Sequence, residues 1–279
     1  MEQIKALYKL GRPLTTLSGV LAVFLGGYVA GTGAWGNIFL AGLATMLISA
    51  AANAWNDYLD VEIDRINKPK RPLPSGQVSL RTARWFSFTL AGLSLLTASF
   101  INWPAFLIAL LSNMVLYFYS LHLKSTVLWG NATVATISAM SVAFGGVAAG
   151  NVIPTLWLVL IIFLGIMGRE VLKTMADYEG DLSQRCRTIA TVWGKRKARV
   201  VFYILAAATL VVMMLPYVTG YYGRAYALIV AFGVYPVVVY IMLHVSKERT
   251  GYQLERMSQL MKYDYLVWFL AVVVGSNAS

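Results

Sequence analysis

Nine runs of about 20 mostly apolar residues leave this chain little choice of fold. They fall at about 14–31, 37–55, 83–101, 103–121, 131–150, 153–172, 199–218, 224–245 and 262–277, each about as long as a helix that crosses a bilayer. The runs consume most of the 279 residues and leave no room for a soluble domain, so a single all-α transmembrane domain over 1–279 is expected. Composition agrees: 58% of residues are hydrophobic and 13% charged, against roughly 45–50% and about 25% in soluble domains. That much apolar surface also excludes disorder. The lone Cys186 excludes an internal disulfide framework and a cysteine-built metal site. The first run is long, glycine-rich and without a small-residue cleavage site, and is expected to stay as a span rather than be removed as a leader.

Charge tests the count. A formal charge of +11 would point to nucleic acid in a soluble protein. Here the basic residues sit between apolar runs, so topology accounts for them and no nucleic-acid partner is expected. With a cytoplasmic amino terminus, the cytoplasmic segments are 1–13, 56–82, 122–130, 173–198 and 246–261 plus the helix ends that border them. Of the 23 Lys and Arg residues, only Arg224 then falls on the opposite side, the expected positive-inside bias. All 12 Asp and Glu residues fall on the cytoplasmic side too. No topology rule requires that, so the chemistry is expected on that face of the membrane.

The chain also repeats itself. Phe24-Leu25-Gly26-Gly27 followed by Ala30-Gly31 is echoed by Phe144-Gly145-Gly146 followed by Ala149-Gly150, and Gly26 and Gly145 lie 119 residues apart. Asp57 and Asp177, each the first Asp of an acidic cluster, lie 120 apart. Small residues spaced by four let membrane helices approach closely, which by itself explains the glycines. The matched offset of glycines and aspartates favours a parallel repeat of four helices, about 14–121 and 131–245, followed by a last helix.

Two acidic clusters carry the chemistry. The first reads Asn56-Asp57-Tyr58-Leu59-Asp60-Val61-Glu62-Ile63-Asp64. Asp57, Asp60 and Asp64 share one face of a helix expected to continue out of the second span, with Asn53 and Asn56 one turn deeper. In the second, Asp177 and Asp181 are i, i+4 partners and Glu170 lies two turns before them. Like charges on one face repel unless a cation joins them, and Mg²⁺ typically takes one or two carboxylates plus substrate phosphates. Glu62 and Glu179 are read as ordinary solvated carboxylates. Between the second and third spans, Pro69, Pro72 and Pro74 forbid a helix, so Lys68, Lys70 and Arg71 ride a shaped loop beside the first acidic face. Cations facing bound Mg²⁺ make sense if a highly charged anion, such as a diphosphate, sits between them.

The motifs Asn56-Asp57-x-x-Asp60-x-x-x-Asp64, Arg71-Pro72-Leu73-Pro74-Ser75-Gly76 and Asp177-x-x-x-Asp181 resemble the intramembrane aromatic prenyltransferase (UbiA) superfamily over the whole chain. That resemblance implies nine transmembrane helices around a central cavity, capped by cytoplasmic loops. It implies two Mg²⁺ ions, one per aspartate motif, that hold an isoprenoid diphosphate, and transfer of its prenyl group to an acceptor. Carried over by position, Asn56, Asp57, Asp60 and Asp64 form the first metal motif and Asp177 and Asp181 the second. Lys68 and Arg71 become loop cations, and Arg187 takes the basic position after the second motif. A Tyr followed closely by Lys is matched by Tyr119 and Lys124, with one residue more than the commonest spacing. Near the first span, Arg12-Pro13-Leu14-Thr15 lacks the Asn that often follows Arg-Pro, which leaves Arg12 as a candidate; Asn53 is a separate candidate for substrate contact.

Within the superfamily, Gly168-Arg169-Glu170-Val171-Leu172-Lys173 through Asp181, with Ile66-Asn67-Lys68-Pro69, look most like the digeranylgeranylglyceryl phosphate synthase branch. The resemblance implies transfer of geranylgeranyl to the free hydroxyl of geranylgeranylglyceryl phosphate, an ether-lipid reaction. Thr174 and Ala176 depart from that branch, where acidic residues are usual. Arg169, Lys173 and Lys124 would supply cations for a phosphate-bearing acceptor, and Glu170 a proton acceptor for an alcohol. An aromatic or tetrapyrrole acceptor stays open. An ion-coupled transporter is the more remote alternative, because transporters place ionisable groups near the midplane and these clusters lie at one face. His122 and His244 lack metal-ligand spacing, and Asn113 either lines a cavity or bonds a neighbouring helix.

Overall fold

In a bilayer each backbone N–H and C=O must find its partner inside the protein, and the described residues meet this chiefly with helices. The computed structural model describes residues 2–31, 33–183, 185–245 and 249–276. The fourteen α-helices are α1 (Glu2–Leu10), α2 (Pro13–Val29), α3 (Trp35–Leu59), α4 (Val61–Asn67), α5 (Leu80–Ser99), α6 (Trp103–Phe118), α7 (Trp129–Ala149), α8 (Leu156–Ala176), α9 (Tyr178–Ser183), α10 (Ile189–Trp193), α11 (Lys195–Val218), α12 (Arg224–Ile229), α13 (Tyr235–Val245) and α14 (Gly251–Gly275). Among the described residues the only strand-like pairing is one bridge between Tyr222 and Ser276.

Among the described residues, six helical segments are long and apolar enough to span a membrane: Trp35–Leu59, Trp103–Leu123, Trp129–Ala149, Ile153–Ala176, Lys195–Val218 and Arg224–Val245. The other three expected runs are helical as well, but each falls short of that standard for a visible reason. Helix α2 has 17 residues. Helix α5 carries Arg81 and Arg84 and a sprinkling of Ser and Thr. Helix α14 carries Glu255, Arg256, Lys262 and Asp264 and starts at Gly251, well before the expected 262, because Thr250 and Gln253 form a capping box there. Residue 277, the expected end of that run, lies outside the described residues, as do the side chains of Thr15 and Asn67.

Contacts divide the chain into two units, residues 1–123 with 141–153, and residues 124–140 with 154–279. In the first, α3 packs against α2, α5 and α6. Its core is built from Val23, Ala41, Ala44, Ile48, Ala98, Phe144 and Ala148, small residues that bring membrane helices close. In the second unit, α8 packs against α11 and α14, and α12 against α14.

A close backbone approach joins α2 to the last turns of α7. A Cβ on Gly26 would overlap the Val142 carbonyl oxygen, and a Cβ on Gly145 would overlap the Val23 carbonyl oxygen. The two contacts exchange roles under one shift of 119 residues. Because the obstacle in each case is backbone, no rotamer change relieves it. Gly145→Val is therefore expected to lower the thermal midpoint in detergent by about 5–10 °C or to prevent folding. Gly92→Ala, with nothing near its Cβ position, serves as the control that stays within about 2 °C of the parent.

Candidate functional site

The first acidic cluster is not one continuous helix. Helix α3 ends at Leu59, Asp60 caps it with φ −89° and ψ 7°, and α4 takes over at Val61. The ladder nearly survives the break, with Asp60 N–H donating to the Asn56 carbonyl at 3.0 Å and Asp64 N–H to the Asp60 carbonyl at 2.8 Å. Asp57 and Asp64 are buried, at 3% and 4% exposure. Charges so deep need partners, and two arginines supply them. Arg71 Nη1 reaches Asp64 Oδ2 at 2.5 Å and Asp57 Oδ1 at 3.1 Å. Arg12 Nη2 pairs with Asp57 Oδ1 as well. Asn56 Oδ1 is buried and accepts no hydrogen bond among the described residues. An orphaned amide oxygen at the end of α3, with buried carboxylates on α3 and α4, supplies oxygen donors of the kind a hard cation takes, so these residue types fit Mg²⁺.

Both arginines are aimed by their surroundings. After α4 the prolines prevent further helix, and the loop folds through turns from Arg71 N–H to the Lys68 carbonyl and from Ser75 N–H to the Arg71 carbonyl, both 3.0 Å. Leu73 and Val78 anchor it in a core cluster with Ala6, Leu10, Ala54, Val61 and Ala83. Arg12 sits between α1 and α2 in the left-handed region, at φ 51° and ψ 63°. The preceding Gly11 carbonyl is held by Asn53 Nδ2 at 3.1 Å, so Asn53 serves the hinge that positions Arg12. Lys68 is exposed and forms no ion pair among the described residues. Glu62 pairs with Arg65 at 2.8 Å on the surface, as its bland reading requires.

The second cluster repeats the local geometry of the first. Helix α8 ends at Ala176, Asp177 caps it with φ −86° and ψ 4°, and α9 follows. Asp181 N–H donates to the Asp177 carbonyl at 2.9 Å, as Asp64 does to Asp60. Backbone thus matches Asp60 with Asp177 and Asp64 with Asp181, 117 residues apart, rather than Asp57 with Asp177. Asp57 then corresponds to Thr174, a buried residue whose hydroxyl is satisfied by the Val171 carbonyl at 2.8 Å. Burial, and after it the Asp177 charge, push the Asp181 carboxyl above its usual range, while Thr188 and Lys173 pull it down. Glu170 lies between two cations, 3.2 Å from Arg169 Nη1 and 3.2 Å from Lys173 Nζ. Arg169 Nε also donates to the Ser258 carbonyl of α14 at 3.2 Å. Arg187 is exposed, and Glu179 pairs on the surface with Lys195 at 3.3 Å.

Tyr119 opens a π-helical turn, Tyr119–Leu123, at the end of α6, and Lys124 follows it directly. A π turn holds one residue more than an α turn, so it absorbs the extra residue in the Tyr–Lys spacing. Asn113 bonds Ser94 Oγ at 3.0 Å and the Ala109 carbonyl at 2.9 Å, which settles it as a bond between α6 and α5. Sequence reasoning passed over Asp264. It is buried at 7% exposure on α14, and its Oδ1 and the neighbouring Tyr265 hydroxyl have no partner among the described residues. Both line a cavity of about 30 Å³ with Gly165, Gly168 and Thr209, room for one or two water molecules. The signal was available: an Asp within a run read as membrane-spanning.

Comparison with known proteins places this geometry. The model of the UbiA prenyltransferase family matches residues 17–258. A digeranylgeranylglyceryl phosphate synthase from Metallosphaera sedula is 36% identical over 273 residues, covering 94% of each chain. A solved structure concerned with digeranylgeranylglyceryl phosphate synthase in membranes superposes with TM-score 0.85 at 30% identity and covers 99% of each chain. A UbiA homologue from Archaeoglobus fulgidus, bound to GPP and Mg²⁺, superposes with TM-score 0.74 at 19% identity over 96% of this chain and 99% of its own.

The buried ion cluster makes a stability prediction. Arg71→Leu strands the Asp64 carboxylate and is expected to cost about 3 kcal/mol, while Arg71→Leu combined with Asp64→Leu recovers most of it. Arg65→Leu, which breaks only the exposed pair with Glu62, is expected to stay within about 0.5 kcal/mol. Thermal unfolding of the purified variants in one detergent orders the four proteins.

Proposed function

Because this chain belongs to the UbiA prenyltransferase family, we propose that it transfers a geranylgeranyl group from its diphosphate to the free hydroxyl of geranylgeranylglyceryl phosphate, forming an ether membrane lipid. The observation that carries the reading is the cluster on α3 and α4. Buried Asp57 and Asp64, the orphaned Asn56 oxygen and two facing arginines match a metal and the diphosphate it carries. The acceptor follows the names of relatives at 34–36% identity over 90–94% of this chain. In this reading the chain is a multi-pass membrane protein of nine spans, with its amino terminus and aspartate motifs on the cytoplasmic side. The reciprocal contacts at Gly26 and Gly145 support a parallel repeat.

The chemistry asked of the residues is modest. Asn56, Asp57, Asp60 and Asp64 would hold one Mg²⁺, and Asp177 with Asp181 a second. Bound there, Mg²⁺ supplies charge that stabilises the departing diphosphate. Arg12, Arg71 and Lys68 bind diphosphate oxygens, so the allylic C–O bond breaks with its electron pair leaving on a well-neutralised anion. Arg169, Lys173 and Lys124 receive the acceptor's phosphate. As the new C–O bond forms, the acceptor hydroxyl loses its proton, and Glu170 is the carboxylate assigned to take it. Tyr119 orients the donor, and Arg187 adds positive charge after the second motif.

Purified protein, labelled geranylgeranyl diphosphate and a panel of geranylgeranylglyceryl phosphate, homogentisate, 4-hydroxybenzoate and chlorophyllide test the reading. Mg²⁺-dependent formation of the lipid ether, abolished by EDTA, is the expected result. Transfer to an aromatic acceptor instead would overturn the substrate. Asp57→Asn and Asp181→Asn are each expected to reduce kcat by about 10²-fold or more with folded protein retained, and near-normal turnover in both would sink the site assignment.

A further inference from the structure

We infer that Arg12 and Arg71 are exchangeable counterions: they occupy aspartate oxygens that a metal would draw on, and give them up more readily when a diphosphate arrives to receive their charge. The inference rests on the proposed diphosphate chemistry and adds a property to it, which is that metal and diphosphate bind as a linked pair.

Three observations carry it. First, one oxygen of each buried carboxylate is already taken. Asp57 Oδ1 accepts from both guanidinium groups and Asp64 Oδ2 from Arg71. A cation that draws on those two oxygens competes directly with the arginines. Second, the displaced charge has nowhere apolar to go. The side chains of Arg12 and Arg71 are 29% and 24% exposed, whereas those of the aspartates are 4% and 6% exposed. The arginines can therefore swing toward a ligand at the surface while the carboxylates stay in place. Third, Arg12 is held under backbone strain. Its φ of 51° is unfavourable for a side chain with a Cβ. It also precedes Pro13, whose ring drives the preceding residue toward extended conformations. Such strain persists only where surrounding contacts over-determine it. Here those contacts are the Asn53–Gly11 bond and the Arg12–Asp57 pair. Releasing Asp57 relieves part of that strain.

The consequence is thermodynamic. Metal alone competes with two guanidinium groups for the same oxygens. Metal with diphosphate does not, because the anion gives those groups a better partner. Each ligand must then tighten the other by the same factor.

The test uses Mn²⁺ as a paramagnetic probe, titrated into the full-length protein in detergent with and without inorganic diphosphate, bound metal being counted by EPR. In the parent protein, diphosphate is expected to tighten Mn²⁺ about five- to 150-fold. Arg12→Gln is expected to move the two affinities in opposite directions. Mn²⁺ alone binds at least about threefold tighter than in the parent, diphosphate binds weaker, and the coupling shrinks. A purely structural role for Arg12 would weaken both. Arg71→Gln gives a second reading with the same signs. An Mn²⁺ affinity in Arg12→Gln equal to or below the parent's overturns the exchange and leaves the metal site standing. Absence of any Mn²⁺ binding that Asp57→Asn removes overturns the metal site, and the exchange falls with it.

Discussion

Asp57 and Asp64 are negative charges taken almost wholly out of water at the end of an apolar helix, and much of the first unit is arranged to make that tolerable. A carboxylate so placed costs several kcal/mol unless it is paired and hydrogen-bonded. The pairing comes from two directions. Arg12 arrives from the hinge between α1 and α2, at the expense of a left-handed backbone. Arg71 arrives from a proline-stiffened loop whose Leu73 and Val78 are sunk in the core. Hinge and loop meet at two carboxylate oxygens on either side of the break between α3 and α4, Asp57 Oδ1 and Asp64 Oδ2. A cluster of this kind is weak support for stability by itself, and its oxygen atoms are of the type that hard cations take.

The second cluster shows how one backbone device can be charged differently. Asp60 and Asp177 cap their helices with nearly the same dihedral angles, and the residues four positions on, Asp64 and Asp181, close the same turn. Where the first cluster has Asp57, the second has Thr174, which satisfies itself on its own helix and needs no arginine. The second site accordingly draws its cations from within α8, where Arg169 and Lys173 flank Glu170. Arg169 is further tied to α14 through the Ser258 carbonyl.

The glycines tell a parallel story about close approach. Gly26 and Gly145 each face the other segment's carbonyl, and the two contacts map onto one another when the chain is shifted by 119 residues. Gly31 and Gly150, also 119 apart, both take positive φ just after α2 and α7, the usual place for a glycine that ends a helix. Sequence spacing alone left generic small-residue packing as an alternative for these glycines. Contact with backbone rather than side chain makes them obligatory.

Much of the molecule was legible in one dimension. The apolar runs announce helices because in a bilayer an apolar segment has no other way to satisfy its backbone. The aspartate spacing and the proline-rich loop mark the site because their chemistry is local: like charges one turn apart need a cation, and proline cannot extend a helix. Asn56, Asp57, Asp64 and Arg71 stand out this way, and the fold brings Arg71 into contact with Asp57 and Asp64. What stayed hidden depends on residues far apart in the chain. Nothing near Arg12 says that its guanidinium reaches Asp57, 45 positions away. Nothing near Asn53 says that it holds the Gly11 carbonyl, 42 positions away. The start of α14 at Gly251, the kink at Asp60 and the burial of Asp264 were likewise decided by capping and packing. Sequence by itself determined which segments are apolar and which residues carry charge, since solvent preference and valence belong to each residue alone. Which charge neutralises which was decided only by the tertiary structure, because ion pairing is set by distance in space and by how far each partner is removed from water.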